Sequence, residues 1–244
     1  MNKRDAGALR ATMTPSPNDL NDPARRDELA GEGAIRGTAR MEAFADGVFA
    51  ISFTLPVVHI VMPLTERPGS QLGAELLHLA PEYAGYLLAS AVIGLYWVQH
   101  HFSGAIFRTT GHWFVIATTL FLAAIGFIAF PARVLAEHFA DTAARPAAAQ
   151  YWVVALAILA LTWLLKWSVG VRRGHIDPRL EPLYVKQLMR NFRLIALGNL
   201  VAAVLVFIHW PSGLILSGLL VAWLLLPPQT PRYITEAPVV EGEG

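Results

Sequence analysis

Six long apolar runs, nearly free of charge, dominate this chain and leave it few ways to fold. They cover residues 41–62, 82–102, 112–130, 150–171, 194–210 and 214–226. A bilayer core about 30 Å thick is crossed by about 20 apolar residues in helix. Each run meets or approaches that length. Only 15% of the residues are charged, against about 25% in an ordinary soluble domain. In hydrocarbon every backbone polar group needs an internal partner, so runs of this kind cross as helices. The expected fold is therefore all-α, a six-helix integral membrane bundle. The sixth run is short and ends at Pro227-Pro228. The turn signal His209-Trp-Pro-Ser-Gly213 separates it from the fifth.

Charge divides the chain further. Residues 1–39 are polar, with Gly, Pro and mixed charges but no apolar core of signal-peptide length. They read as a mostly disordered N-terminal arm, 40–228 as the membrane domain and 229–244 as a C-terminal tail. Lys and Arg collect in the arm, between runs four and five (Arg172, Arg173, Arg179, Lys186, Arg190, Arg193), and at Arg108 and Arg232. The opposite side carries only Arg67, Arg133 and Arg145. The positive-inside rule places both termini in the cytoplasm of a multi-pass, inner-membrane protein. Trp97, Trp113, Trp152, Trp167 and Trp210 lie near run ends and read as interfacial belts. Lys166, one turn inside the end of run four, reads as a snorkelling side chain.

The composition excludes several chemistries. With no Cys, disulfides, thiolate metal sites and thiol catalysis are absent. A net charge of +1 suggests no nucleic-acid partner. No HExxH, GxSxG, P-loop or GxGxxG motif occurs, so the chain reads as a non-enzyme with no cofactor and no resident metal. His100 and His101 are adjacent and point to different helix faces, so they cannot share a metal as an i, i+4 pair can.

Two features of the first run remain. Arg40-Met-Glu-Ala-Phe-Ala-Asp-Gly47 sets charged residues at its mouth, and charges in a membrane helix usually have a partner and a purpose. Asp46, Glu42 and the His pair read either as a proton relay or as buried, satisfied polar groups. Ile51, Leu55, Val58 and Met62 then follow at spacings of 4, 3 and 4, a single helical stripe with Thr54 beside it. Such a stripe faces lipid, packs on a neighbouring helix or lines a pore. Pro56 deletes the backbone bond to Ser52 within it.

Arg40-xxx-Phe44-Ala45-Asp46-Gly47, followed by Val48-Phe49-Ala50-Ile51, resembles the Arg-xxx-Phe-Ser-Asp-Gly signature of the transmembrane protein 175 family of lysosomal potassium channels. Trp97-Val-Gln-His100-His101 is similar to the family's Trp–His motif at the end of the second helix. The resemblance implies a homotetramer whose first helices line a central pore, with permeating K+, other monovalent cations, membrane lipids and its own copies as partners. It places the hydrophobic constriction at Ile51, further apolar layers at Leu55 and Val58, and a pore-proximal hydroxyl at Thr54. Arg40, Asp46, Trp97 and His101, with Phe44 and Gly47 of the signature, would form a structural network at the cytoplasmic mouth. Glu42 or Glu66 would raise the local cation concentration. Ala45 departs from the signature Ser. Two other function classes remain: a proton-coupled transporter or proton leak using Asp46 and His101, and a membrane enzyme or scaffold that conducts nothing.

Overall fold

The computed structural model describes residues 36–61, 72–227 and 230–234. Met62, Glu66, Arg67 and most of the two tails lie outside those residues. The elements in order are β1 (Arg36–Gly37), α1 (Ala39–Thr54) continuing as a 3-10 turn (Leu55–His59), α2 (Leu72–His78) and α3 (Ala80–Ser103). Then come β2 (Thr109–Thr110), α4 (His112–Phe127), α5 (Ala129–His138), α6 (Arg145–Arg172), α7 (Pro182–Ile208) and α8 (Trp210–Trp223).

Four helical stretches are long and apolar enough to cross a membrane: Ala39–Val58, His112–His138, Arg145–Arg172 and Pro182–Ile208. α2 and α3 meet the same criterion only when taken together as one span, bent by 46°. α8 has 14 residues, a length of about 21 Å in helix, well short of a bilayer core.

Local chemistry sets these boundaries. Pro56 has no N–H to continue the α-helical ladder, and α1 tightens to 3-10 at Leu55. Pro182 and Pro211 stand at the first turns of α7 and α8, where a missing N–H costs nothing. α6 stops at Gly174, whose φ of 71° suits glycine. His175 N–H then bonds Gly170 O at 2.9 Å, closing the helix end. The α7–α8 hairpin crosses so closely at Gly213 that a Cβ there would fall 2.5 Å from Val206 backbone atoms.

α7 starts twelve residues before the apolar run. Lys186, Arg190 and Arg193 therefore lie on its first turns and not in a loop. Hydropathy marks where a helix enters hydrocarbon, whereas Pro182 in the first turn marks where it begins. The last residues of the arm also depart from the disordered reading. Arg36–Gly37 pairs antiparallel with Thr109–Thr110.

Packing follows the sequence of crossings. α6 lies against α4, α5, α7 and α8, and α3 lies against α5. An aromatic column fills the centre: Phe107 on Trp167 at 4.7 Å, Trp167 on Phe192 at 4.9 Å and Phe121 on Trp163 at 4.9 Å between ring centroids. Trp152 and Trp167 belong to this core, so they are not interfacial belts. They face helices and not lipid, a distinction that nearness to a run end does not reveal.

α1 is the exception. It touches α3 and α4 along one narrow edge and buries only Ala45 and Phe49.

Candidate functional site

The uncovered side of α1 carries the apolar stripe. Ile51, Leu55 and Val58 are 61%, 55% and 60% exposed. Three residues make a turn of 3-10 helix, so Leu55 and Val58 remain aligned beyond Pro56. Phe44 is exposed on the same side, and a Cβ at Gly47 would meet nothing within 4 Å. Thr54 is exposed as well, its hydroxyl donating to Ala50 O at 2.8 Å. Beside the stripe a groove of about 530 Å³ runs between α1, α3 and the α4–α5 junction, bordered by Ile51, Ser52, Leu55, Pro56, Glu82 and Tyr86.

Three of the four polar residues singled out in the sequence meet. Trp97 Nε1 donates to Asp46 Oδ1 at 3.2 Å, joining α3 to α1. The Trp97 and His101 rings stack at 5.6 Å. Arg40 is exposed and forms no hydrogen bond or ion pair with these three among the described residues. Glu42 is half-buried, with its carboxylate beside Gly104 at the end of α3. It sits nine residues before Ile51, half a helical turn out of phase with the stripe.

The structure also contains a cluster not anticipated from the sequence. Lys166 is fully buried, at 0% exposure, and does not snorkel. Its Nζ lies 2.7 Å from His100 Nδ1 and 3.2 Å from Ser103 Oγ. The Trp163 ring centroid is 4.7 Å from the same nitrogen, with Phe107 and Phe121 within 6 Å. His100 in turn packs against Phe49, with ring centroids 5.5 Å apart. A chain of contacts thus runs from the middle of the bundle to the one aromatic anchor of α1. The sequence signal for it is a single lysine in an otherwise uncharged run.

The end of the bundle carrying both described chain ends is tied together. Asp177 N–H bonds Ile106 O at 2.8 Å, Ile234 N–H bonds Arg179 O at 2.8 Å, and Glu181 N–H bonds Arg232 O at 2.8 Å. Asp177 is the hub. Its carboxylate, 2% exposed, accepts from Arg108 Nε at 2.9 Å and Arg179 Nη2 at 2.8 Å. Hydrogen bonding to the Arg179 side chain holds this carboxyl well below the usual carboxylate range, against the opposing effect of burial. Burial pushes neighbouring His175 below its ordinary value, and the charge of Arg173 adds to the effect.

A carboxyl with a lowered value contributes stability that is complete above about pH 4 and fades only as the pH falls through its folded value. Asp177→Asn is expected to cost about 1–3 kcal/mol near neutral pH through lost charged hydrogen bonds. The difference from the parent chain should shrink only in strong acid, as thermal melting in detergent at a series of pH values would show.

Among the described residues no group of three or more His, Asp or Glu is placed to hold a metal ion.

Residues 40–129 match the family model described as "Endosomal/lysosomal potassium channel TMEM175". The chain is 32% identical over 187 residues to a protein of Streptomyces collinus named as a potassium channel, covering 75% of this chain and 89% of that one. It is 40% identical over 124 residues to a protein of Chamaesiphon minutus with the same designation, covering 50% of this chain and 60% of that one. Its fold matches the crystal structure of a lysosomal potassium-selective channel TMEM175 homolog from Chamaesiphon minutus. The TM-score is 0.64 at 29% identity, covering 78% of this chain and 96% of the other.

Proposed function

The chain belongs to the TMEM175 family, and on that premise we propose that it is a homotetrameric potassium channel whose pore is lined by α1. The family is one of ion channels and not of enzymes. The observation that carries the pore assignment is the uncovered face of α1. Ile51, Leu55 and Val58 stay more than half exposed within one chain, on a helix that buries only Ala45 and Phe49. Around a fourfold axis the same face becomes three apolar rings, of which Ile51 is the narrowest. An ion passing it sheds part of its hydration, and the rings dewet when closed.

In this reading Asp46, Trp97 and His101 brace the cytoplasmic mouth, with Arg40 beside them. Arg40, Arg108, Arg172, Arg173 and Arg232 stand at the end that carries both described chain ends, which supports cytoplasmic termini. α8 makes the short sixth crossing, with the mismatch absorbed locally.

Flux of K+ into liposomes holding the purified chain tests the reading. Asp46→Asn separates it from a proton relay. Trp97 stands against both Asp46 and His101, and an indole N–H donates without accepting. The bracing role predicts that Asp46→Asn loosens the tetramer on size exclusion. A tetramer that stays intact while a pH-dependent flux disappears would instead establish the relay.

A further inference from the structure

We propose that the first three turns of α7 form a binding site for an anionic phospholipid. Lys186, Arg190 and Arg193 are spaced four and three apart, so they project from one side of the helix. All three are exposed. Among the described residues none of them forms an ion pair or a side-chain hydrogen bond with a carboxylate.

The same side continues into Leu197, Val201, Val204 and Ile208, exposed at 58%, 50%, 64% and 78%. One helical face therefore reads as three cations followed by about three turns of bare hydrocarbon. That order matches the order of groups along a phospholipid, headgroup phosphate first and acyl chain after. Arg172 and Arg173 close the antiparallel neighbour α6 at the same end, because Trp167 packs on Phe192.

Charge that only set topology would be satisfied by any arrangement on the cytoplasmic side. Alignment of these cations with an apolar stripe left bare within the chain adds a place for the phosphate and a path for the tail. Cations held near an anionic membrane surface act additively. The site rests on α7 crossing the membrane and not on the conduction path, so its failure would leave the channel reading untouched.

Native mass spectrometry of the purified full chain tests the proposal. The chain is incubated with phosphatidylglycerol or phosphatidylcholine and the retained lipid is counted. The parent chain is expected to retain phosphatidylglycerol preferentially. The triple variant Lys186→Gln, Arg190→Gln, Arg193→Gln should bind it at least about tenfold more weakly. A control losing the same charge in the arm, at Arg10, Arg25 and Arg26, should bind like the parent. The single variants Arg190→Gln and Arg193→Gln should each show a partial loss and cover the case of a triple variant that aggregates.

Equal retention by parent and triple variant overturns the site, as does equal weakening by the arm control or no preference for phosphatidylglycerol in the parent. A further arm replaces lipid with inorganic phosphate at matched ionic strength. If inorganic phosphate displaces the lipid and binds with the same residue dependence, the site serves a free anion and the lipid assignment fails.

Discussion

Ile51→Asn is expected to raise K+ flux and to lower the preference for K+ over Na+. An apolar ring opposes permeation by stripping water without replacing it. An amide at the same position offers a carbonyl oxygen to the ion and keeps the ring wet. If dehydration at Ile51 contributes about 1.4 kcal/mol to the barrier, its removal speeds conduction about tenfold. Ile51 is 61% exposed in the single chain, so the substitution disturbs little of the subunit's own packing and should leave expression and melting near those of the parent. Leu55→Asn should act in the same direction but less strongly, at a ring further from the constriction. An Ile51→Asn channel with parental flux and selectivity would remove Ile51 from the conduction path.

Truncation of Lys166 is expected to cost more stability than the loss of charge at Asp177. Lys166→Ala removes a fully buried stem and leaves a cavity, a loss of about 2–5 kcal/mol by analogy with other large-to-small core changes. Lys166→Met keeps most of the volume but strands His100 Nδ1, at about 1–3 kcal/mol, while Ser103 keeps its bond to His100 O at 2.6 Å. His100 Nε2 is already buried without a partner, so the ring has no second bond to fall back on. Because His100 packs on Phe49, both variants should also loosen α1. Thermal melting in detergent and liposome flux would read the two effects separately. A Lys166→Met chain that melts and conducts like the parent would show that the cluster is dispensable.

The mostly helical, membrane-spanning character of the fold is legible from hydropathy, and the departures from it have specific causes. Hydropathy locates hydrocarbon, so it placed α1, α3 and α6 closely but began α7 twelve residues late, because the basic turns of that helix lie outside the apolar run. It also treated Lys166 and Trp167 by their distance from a run end. What decides between snorkelling and burial is which helix stands opposite, and that depends on the pairing of α6 with α3, α4 and α7. The partnership of Asp46 with Trp97, 51 residues apart, was visible only through the family signature. The stripe from Ile51 was legible as a stripe from spacing alone. Periodicity is silent on whether such a face meets lipid, protein or water, and the pore reading came from the signature. The uncovered state of α1 within its own subunit is the structural observation that now supports it.

Conduction as proposed requires four copies of α1 to meet around an axis with Ile51 turned toward it. The chain has no cysteine, so Ile51→Cys carries a single thiol per subunit with no background to remove. A small charged thiol reagent is added to Ile51→Cys channels in liposomes, with Phe207→Cys on the exposed face of α7 as the control. The account predicts that modification at Ile51 stops K+ flux and that modification at Phe207 leaves it unchanged. Flux that persists through complete labelling of Cys at position 51 would contradict it.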